Sequence, residues 1–235
     1  MVIDRVGVLI FPEVLAFRII GRIGFPIFAF LIAEGAKHTK NKLRHVLVMG
    51  GFAAVIQIVY FIFTRDLQMS VLITFTMSLL IIYALDHLKN CLFEEKRSAK
   101  RIALDACLFF GTLLIIYAVT RKIDVDYGFA GCLLPVFPAL FTTPRVKAPP
   151  TVFKTVDTKT FRVLAIGIGA LSLSLSAMTS SLYVGLVQLT SVLSVPLLLL
   201  YSEKRGRLKM KYFFYVFYPL HLVIIQGIAI LLQYI

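Results

Sequence analysis

"GRIGFPIFAFLIAEGAKHT" (residues 21–39) decides the fold. It is apolar over most of its length, yet Arg22 stands near one end, Pro26 inside it, and Glu34 and His38 at the other. A membrane span needs about 20 mostly apolar residues. Runs of that kind recur along the 235-residue chain, 59% of which is hydrophobic, where a soluble domain sits near half. Only helices and closed barrels satisfy backbone groups in lipid. These runs are too long and too uniformly apolar for barrel strands, whose residues alternate. The fold class is therefore all-α, a polytopic helical membrane protein with about nine spans.

The spans read as roughly 17–36, 46–63, 69–85, 102–119, 127–141, 161–179, 182–200 and 213–234, behind an incomplete one at 1–12. Only the residues ahead of Pro12 are available to that first span, too few to cross, so it reads as truncated. A missing amino-terminal segment is expected, with a re-entrant piece as the alternative. "TRDLQ" (64–68) and "TSS" (179–181) are short enough to be hairpin turns between antiparallel helices. Residues 142–160, with Pro144, Pro149 and Pro150, read as a cytoplasmic linker within one domain spanning 1–235. Gly167, Gly169, Ala170, Ser172, Ser174, Ser176 and Ala177 suit close helix packing.

The formal charge of +13 sits in short loops. Lys37, Lys40, Lys42 and Arg44 occupy one, and Lys89, Lys96, Arg97, Lys100 and Arg101 the next. Arg145, Lys147, Lys154 and Lys159 follow, then Lys204, Arg205, Arg207, Lys209 and Lys211. If alternate loops are cytoplasmic, all four basic loops share one side, and the carboxyl terminus lies outside the cell. The charge is thus a matter of membrane topology, and no nucleic-acid partner is expected. Cys91, Cys107 and Cys132 are odd in number and widely spaced, so neither a disulfide framework nor a metal site is expected.

Charged groups inside a span cost about 2.5–3.5 kcal/mol each on the insertion scale, and they commonly face the protein interior and mark function. Asp4 and Arg5 lie in the incomplete first span, and an Asp4–Arg22 ion pair across two helices is expected. Arg18 can instead snorkel to the headgroups. Glu34 and His38, four residues apart, can touch, and a carboxylate beside an imidazole fixes its tautomer and raises its basicity. The competing reading is a solvated helix end. His45 reads as a surface residue. "FYPLHL" (217–222) opens the last span, where Pro219 frees a carbonyl and His221 sits about two turns inside. A packing histidine is the simpler account, but its depth matches that of Glu34. Asp126 of "DVDYG" (124–128) stands where a helix N-terminus favours negative charge. Together these residues point to a polar cavity open to the cytoplasm, with a basic mouth suited to an anionic, phosphate-bearing substrate.

"RIIGRIGFPIFAFLIAEGAKHT" (18–39), "DYG" (126–128) and "KYFFYVFYPLHL" (211–222) resemble, in order, the signature segments of the TraX family. The family is linked to N-terminal acetylation of conjugative pilin and looks like a branch of the transmembrane acyltransferases. The resemblance implies a bacterial cell-membrane protein using acetyl-CoA or another acyl-CoA as co-substrate. The acceptor would be a peptide amine, a sugar or a small molecule, and no metal is implied. Arg22, Glu34, Gly35, His38, Thr39, Asp126, Tyr127, Tyr218, Pro219 and His221 match family positions. The opening "MVIDRVG" carries Arg5 where the family segment usually has histidine. A guanidinium does not deprotonate, so the general base falls to His38 or His221, or else the change is inactivating or this member has another activity. On this reading His38, His221 and Glu34 are the catalytic candidates. Asp4, Arg5, Arg22, Thr39, Arg44, Asp126, Tyr127 and Tyr218 are the candidates for binding.

Two other functions fit the same residues. A transporter or flippase for an anionic or lipid-linked solute would line its path with such charges, and it predicts inverted repeats and broken helices, neither legible here. A non-enzymatic scaffold would use Arg22, Glu34 and His221 as a buried polar network.

Overall fold

The computed structural model describes residues 2–11, 13–64, 69–94, 98–147, 149–202, 217, 220, 221, 224, 225, 227 and 228. Among these the chain is almost wholly helical, and its only extended pairing is a single bridge between Met69 and Val125. In chain order the helices are α1 (Val2–Leu9), α2 (Leu15–His38), α3 (Lys42–Thr64), α4 (Val71–Leu92), α5 (Ala99–Lys122) and α6 (Gly128–Leu133). Next come α7 (Val136–Leu140), α8 (Thr151–Val156), α9 (Lys159–Met178), α10 (Leu182–Leu189) and α11 (Ser194–Leu200).

Among the described residues, six segments are long and apolar enough to cross a membrane: α2, α3, α4, α5, α9 and the run Leu182–Leu200. The count of about nine expected from sequence is not reached among the described residues, for identifiable reasons. α1 has 8 residues. The run expected at 127–141 is interrupted: Tyr127 and Gly128 take positive φ (65° and 58°), and Pro135, which lacks an N–H, separates α6 from α7. Those two pieces, of 6 and 5 residues, are each too short to span. The segment expected at 213–234 lies mostly outside the described residues. The Leu182–Leu200 run is itself tightened by a 3₁₀ turn at Thr190–Leu193.

Close approach of backbones organises the bundle, as expected where lipid removes the hydrophobic drive between helices. α1 runs antiparallel to α2. A Cβ on Gly21 would lie 2.3 Å from the Cβ of Asp4, and one on Gly7 would lie 2.6 Å from that of Phe17. Gly185 meets Met178 in the same manner, and Ser174 donates to the Gly185 carbonyl at 2.8 Å, which closes the α9–α10 hairpin.

α4 and α9 lie at the centre, with 56% and 50% of their spanning windows buried, against 11% for α3 and 6% for α5. The apolar core joins Phe25, Ala29 and Phe30 of α2 to Val71 and Phe75 of α4, Leu134, and Val163, Ile166 and Ala170 of α9. A second cluster joins Ala36 to Leu79, Ile82, Cys132 and Val136. Leu104, Leu108, Phe110 and Leu114 of α5 are exposed, which lipid tolerates. α2 thus runs along the core with one polar group at each end.

Candidate functional site

At the end of α2 flanked by the basic loops, Glu34 and His38 fall one turn apart and meet, Oε1 to Nε2, at 3.0 Å. An ionised carboxylate only accepts, so the neutral ring donates through Nε2–H and keeps Nδ1 as its basic nitrogen. The Glu34 side chain is 13% exposed and that of His38 is 71% exposed, so a sheltered acid holds an accessible base. The other Glu34 oxygen lies 3.3 Å from the guanidinium of Arg162, a buried residue in the first turn of α9. The same Arg162 nitrogen lies 3.3 Å from Asp157.

Asp157 belongs to the linker before α9. It accepts from Lys37 Nζ at 2.9 Å, and from the Thr143 backbone N–H (2.9 Å) and hydroxyl (2.8 Å). Burial pushes its carboxyl up, but the hydrogen bonds from Lys37 and Thr143 outweigh that and hold it below the ordinary carboxylate value. Arg145 ties the linker to the end of α2 by donating to the carbonyls of Lys37 and Thr39. These carbonyls have no partner within the helix, and a cation suits that end of its dipole. Lys89, buried in α4, donates to the carbonyls of Ala139 and Leu140, both at 3.1 Å, and of Thr142.

His45, read from sequence as a surface residue, is half-buried and shares a 2.6 Å hydrogen bond with the Tyr83 hydroxyl. Lys42 pairs with Asp86. A cavity of about 30 Å³, room for a water, lies between Lys37, Tyr83, Asp86, Lys89 and Arg145. Beyond it, a groove of about 730 Å³ is lined by Asn90, Cys91, Phe93, Arg101, Arg145 and Lys147, among others.

A second polar cluster sits at the other end of α2. Arg22 lies 12 positions before Glu34, about 18 Å along the helix. Arg5 donates to Asp126 at 3.0 Å. Burial pushes the Asp126 carboxyl up against the pull of Arg5. The Arg22 guanidinium lies 5.3 Å from the centre of the Tyr127 ring, and Tyr127 stacks on Phe25 at 3.9 Å. That stack holds Tyr127 in a left-handed conformation that costs a non-glycine residue about 1–2 kcal/mol. Thr74 donates to the Asp126 carbonyl at 2.9 Å, and Met69 brackets the same loop through Asp124 and Asp126.

The expected Asp4–Arg22 ion pair is not formed. Asp4 Oδ1 and Arg22 Nε are buried with no hydrogen-bond partner among the described residues, and the pair that forms is Arg5–Asp126. Asp4 packs directly on Gly21, so its carboxylate is held beside the α2 backbone. His221 is buried, stacks on Phe217 and shares a 2.8 Å contact with the Phe217 carbonyl. Arg5 is among the charged groups whose field reaches it, which associates it with this second cluster. Thr39 donates to the Gly35 carbonyl at 2.7 Å and closes α2. Arg44 is exposed, and its backbone N–H binds the Asn41 side chain at the start of α3. Tyr218 lies outside the described residues. The one shared chamber expected from sequence is thus two clusters on α2.

The family model of the TraX protein matches residues 1–229. The chain belongs to the TraX family. No curated protein and no solved structure matches it. The order of the signature segments along this TraX chain now has a spatial meaning: the first segment is α2, which carries both clusters, and "DYG" is the turn stacked on it. Sequence reasoning missed Arg162, Asp157, Lys37 and Lys89. Arg162 was detectable as a charge just inside an apolar run, and Lys89 by the same rule. Asp157 and Lys37 carried no such signal, because one sits in a linker and the other in the last turn of a helix, where charge is ordinary.

Proposed function

We propose that this TraX protein is an integral membrane acyltransferase that moves an acetyl or other acyl group from acyl-CoA to an amine or hydroxyl acceptor. The observation that carries the reading is the Glu34–His38 pair, a sheltered carboxylate holding an exposed imidazole. Nδ1 of His38 takes the proton of the acceptor N–H or O–H as that atom attacks the thioester carbonyl. A C–N or C–O bond forms, the C–S bond breaks, and CoA leaves as a thiolate that is reprotonated. Glu34 orients the ring and stabilises the imidazolium. The groove of about 730 Å³ falls in the size range of small-molecule sites; Arg145 and Lys147 in its lining suit the phosphates of CoA, while Arg101 is paired with Glu94 and Asp105 adds a second acid. Arg145 also touches the end of α2, so the groove adjoins the dyad. By the distribution of Lys and Arg this is the cytoplasmic face, where acyl-CoA is found.

Purified full-length protein in nanodiscs, given acetyl-labelled acetyl-CoA and a panel of peptide amines and sugars, tests the reading. Transfer or hydrolysis that is lost in His38→Gln supports it. Absence of both, together with absence of CoA binding, sinks it. The second reading, transport of an anionic or lipid-linked solute, is favoured by the interruptions at Pro135 and at Thr190–Leu193. Solute uptake by proteoliposomes without acyl chemistry would select it.

A further inference from the structure

We propose that Arg162 is a positioning residue for His38, acting through Glu34. The inference rests on the acyl-transfer reading only for its kinetic consequence. A carboxylate that touches a partner through one oxygen turns freely about its last torsion, which is broad and roughly two-fold. Glu34 is engaged through both: Oε1 on His38 at 3.0 Å, and Oε2 beside Arg162 at 3.3 Å. The carboxylate plane is therefore fixed from two sides. The imidazole is fixed in turn by the oxygen it meets.

Arg162 can impose this because it is itself immobile. Its side chain is 4% exposed, and it is anchored on a second carboxylate, Asp157, at 3.3 Å. Asp157 is anchored by Lys37 and twice by Thr143. Two cations, Arg162 and Lys37, thus meet two acids, Glu34 and Asp157, in an alternating chain that ends on the accessible histidine. A buried guanidinium is costly unless paired in this way. The arrangement makes the orientation of His38 depend on α9 and on the 142–158 linker, as well as on α2.

The test is a double-mutant cycle read at the His38 ring. The chain has 4 histidines, so a histidine-labelled full-length protein in nanodiscs gives few ring signals, and His38→Gln assigns the relevant one. At one fixed pH, Arg162→Gln is expected to displace the His38 signal when Glu34 is present. It is expected to leave it in place in the Glu34→Gln background, and Arg162→Lys is expected to preserve the parent signal. A displacement that is equal with and without Glu34, or absent in both, overturns the proposal. If Arg162→Gln does not fold, Asp157→Asn stands in for it, with the same dependence on Glu34 expected. In the acetyl-transfer assay, Arg162→Gln is expected to lower kcat roughly tenfold with KM for acetyl-CoA little changed, and Arg162→Lys to recover most of the loss. Coupling at the ring in a protein that transfers no acetyl group supports the positioning role and removes the acyl-transfer reading. Transfer without coupling removes the positioning role alone.

Discussion

Arg5 meets Asp126 at 3.0 Å, and this ion pair ties α1 to the loop ahead of α6. Arg5 serves here as a cation that binds a half-buried carboxylate. Arg5→Ala strands that carboxylate and is expected to lower stability by about 1–3 kcal/mol, below a fully buried pair because both side chains retain some solvent. Arg5→His keeps a donor and should lose less. The pair Arg5→Ala with Asp126→Ala should cost less than the sum of the two. Thermal unfolding in one detergent measures all four proteins, and an unchanged midpoint in Arg5→Ala would show that the pair is inert.

Gly21 is where α1 presses on α2. A Cβ there would stand 2.8 Å from the Asp4 Cα as well as 2.3 Å from its Cβ, so the backbone itself must move. Gly21→Ala is expected to destabilise by about 1–3 kcal/mol. Gly51, whose Cβ would meet nothing within 4 Å, is the matched control. Equal melting behaviour for Gly21→Ala and Gly51→Ala would contradict the packing.

Much of this fold could be read from residues 21–39 outward, because apolar length is a local property. The helices at α2 to α5 and α9 follow from it directly. The broken segment after Asp126 could not be read, since mean apolarity there conceals Pro135 and the left-handed Tyr127. Glu34 and His38 were found because four residues make one helical turn. The rest of the network was not, because Arg162 reaches Glu34, and Asp157 reaches Lys37, across more than a hundred residues, a distance that no periodicity records. For Asp4 the sequence showed a charge at the correct depth, but the direction of its side chain is set by contact with Gly21.

Asp157 gives the linker a defined response to acid. Its folded-state carboxyl titrates below the ordinary value, so its hydrogen bonds contribute stability that is fully present above about pH 4 and is lost as pH falls through the folded value. The Thr143 amide, which donates to it, reports the change. Its exchange protection, corrected for the intrinsic pH dependence of exchange, is expected to fall in that acid window, and in Asp157→Asn to be weak already at neutral pH. Protection that is flat with pH and unaffected by the substitution would refute the latch.

Lys89 closes the end of α7 by satisfying carbonyls of residues 139, 140 and 142. Lys89→Met retains much of the bulk and removes every donor; the Ala139 carbonyl keeps the Thr142 hydroxyl and N–H, but the Leu140 and Thr142 carbonyls lose the ammonium, at a cost of about 2–4 kcal/mol. Lys89→Arg supplies donors again and is expected to recover part of it. Unfolding midpoints together with amide exchange at 139–143 distinguish a local loosening from a global loss.

His38 and Glu34 should differ in how much they matter, and the difference tests their separate roles. His38→Gln removes the basic nitrogen, so the rate of acetyl transfer is expected to fall by about 10²–10⁴-fold, with acetyl-CoA binding retained because the base contacts the acceptor proton and not the nucleotide. Glu34→Gln leaves the imidazole and still offers an oxygen to Nε2–H, so the loss is expected to be smaller, roughly ten- to a hundredfold, and confined to kcat. The double variant should be no slower than His38→Gln, since a residue that acts by orienting a base has nothing to orient once the base is gone. Additive losses in the double variant would show that Glu34 acts on the substrate independently, and a fully active His38→Gln would move the base to another residue, with His221 the next to test.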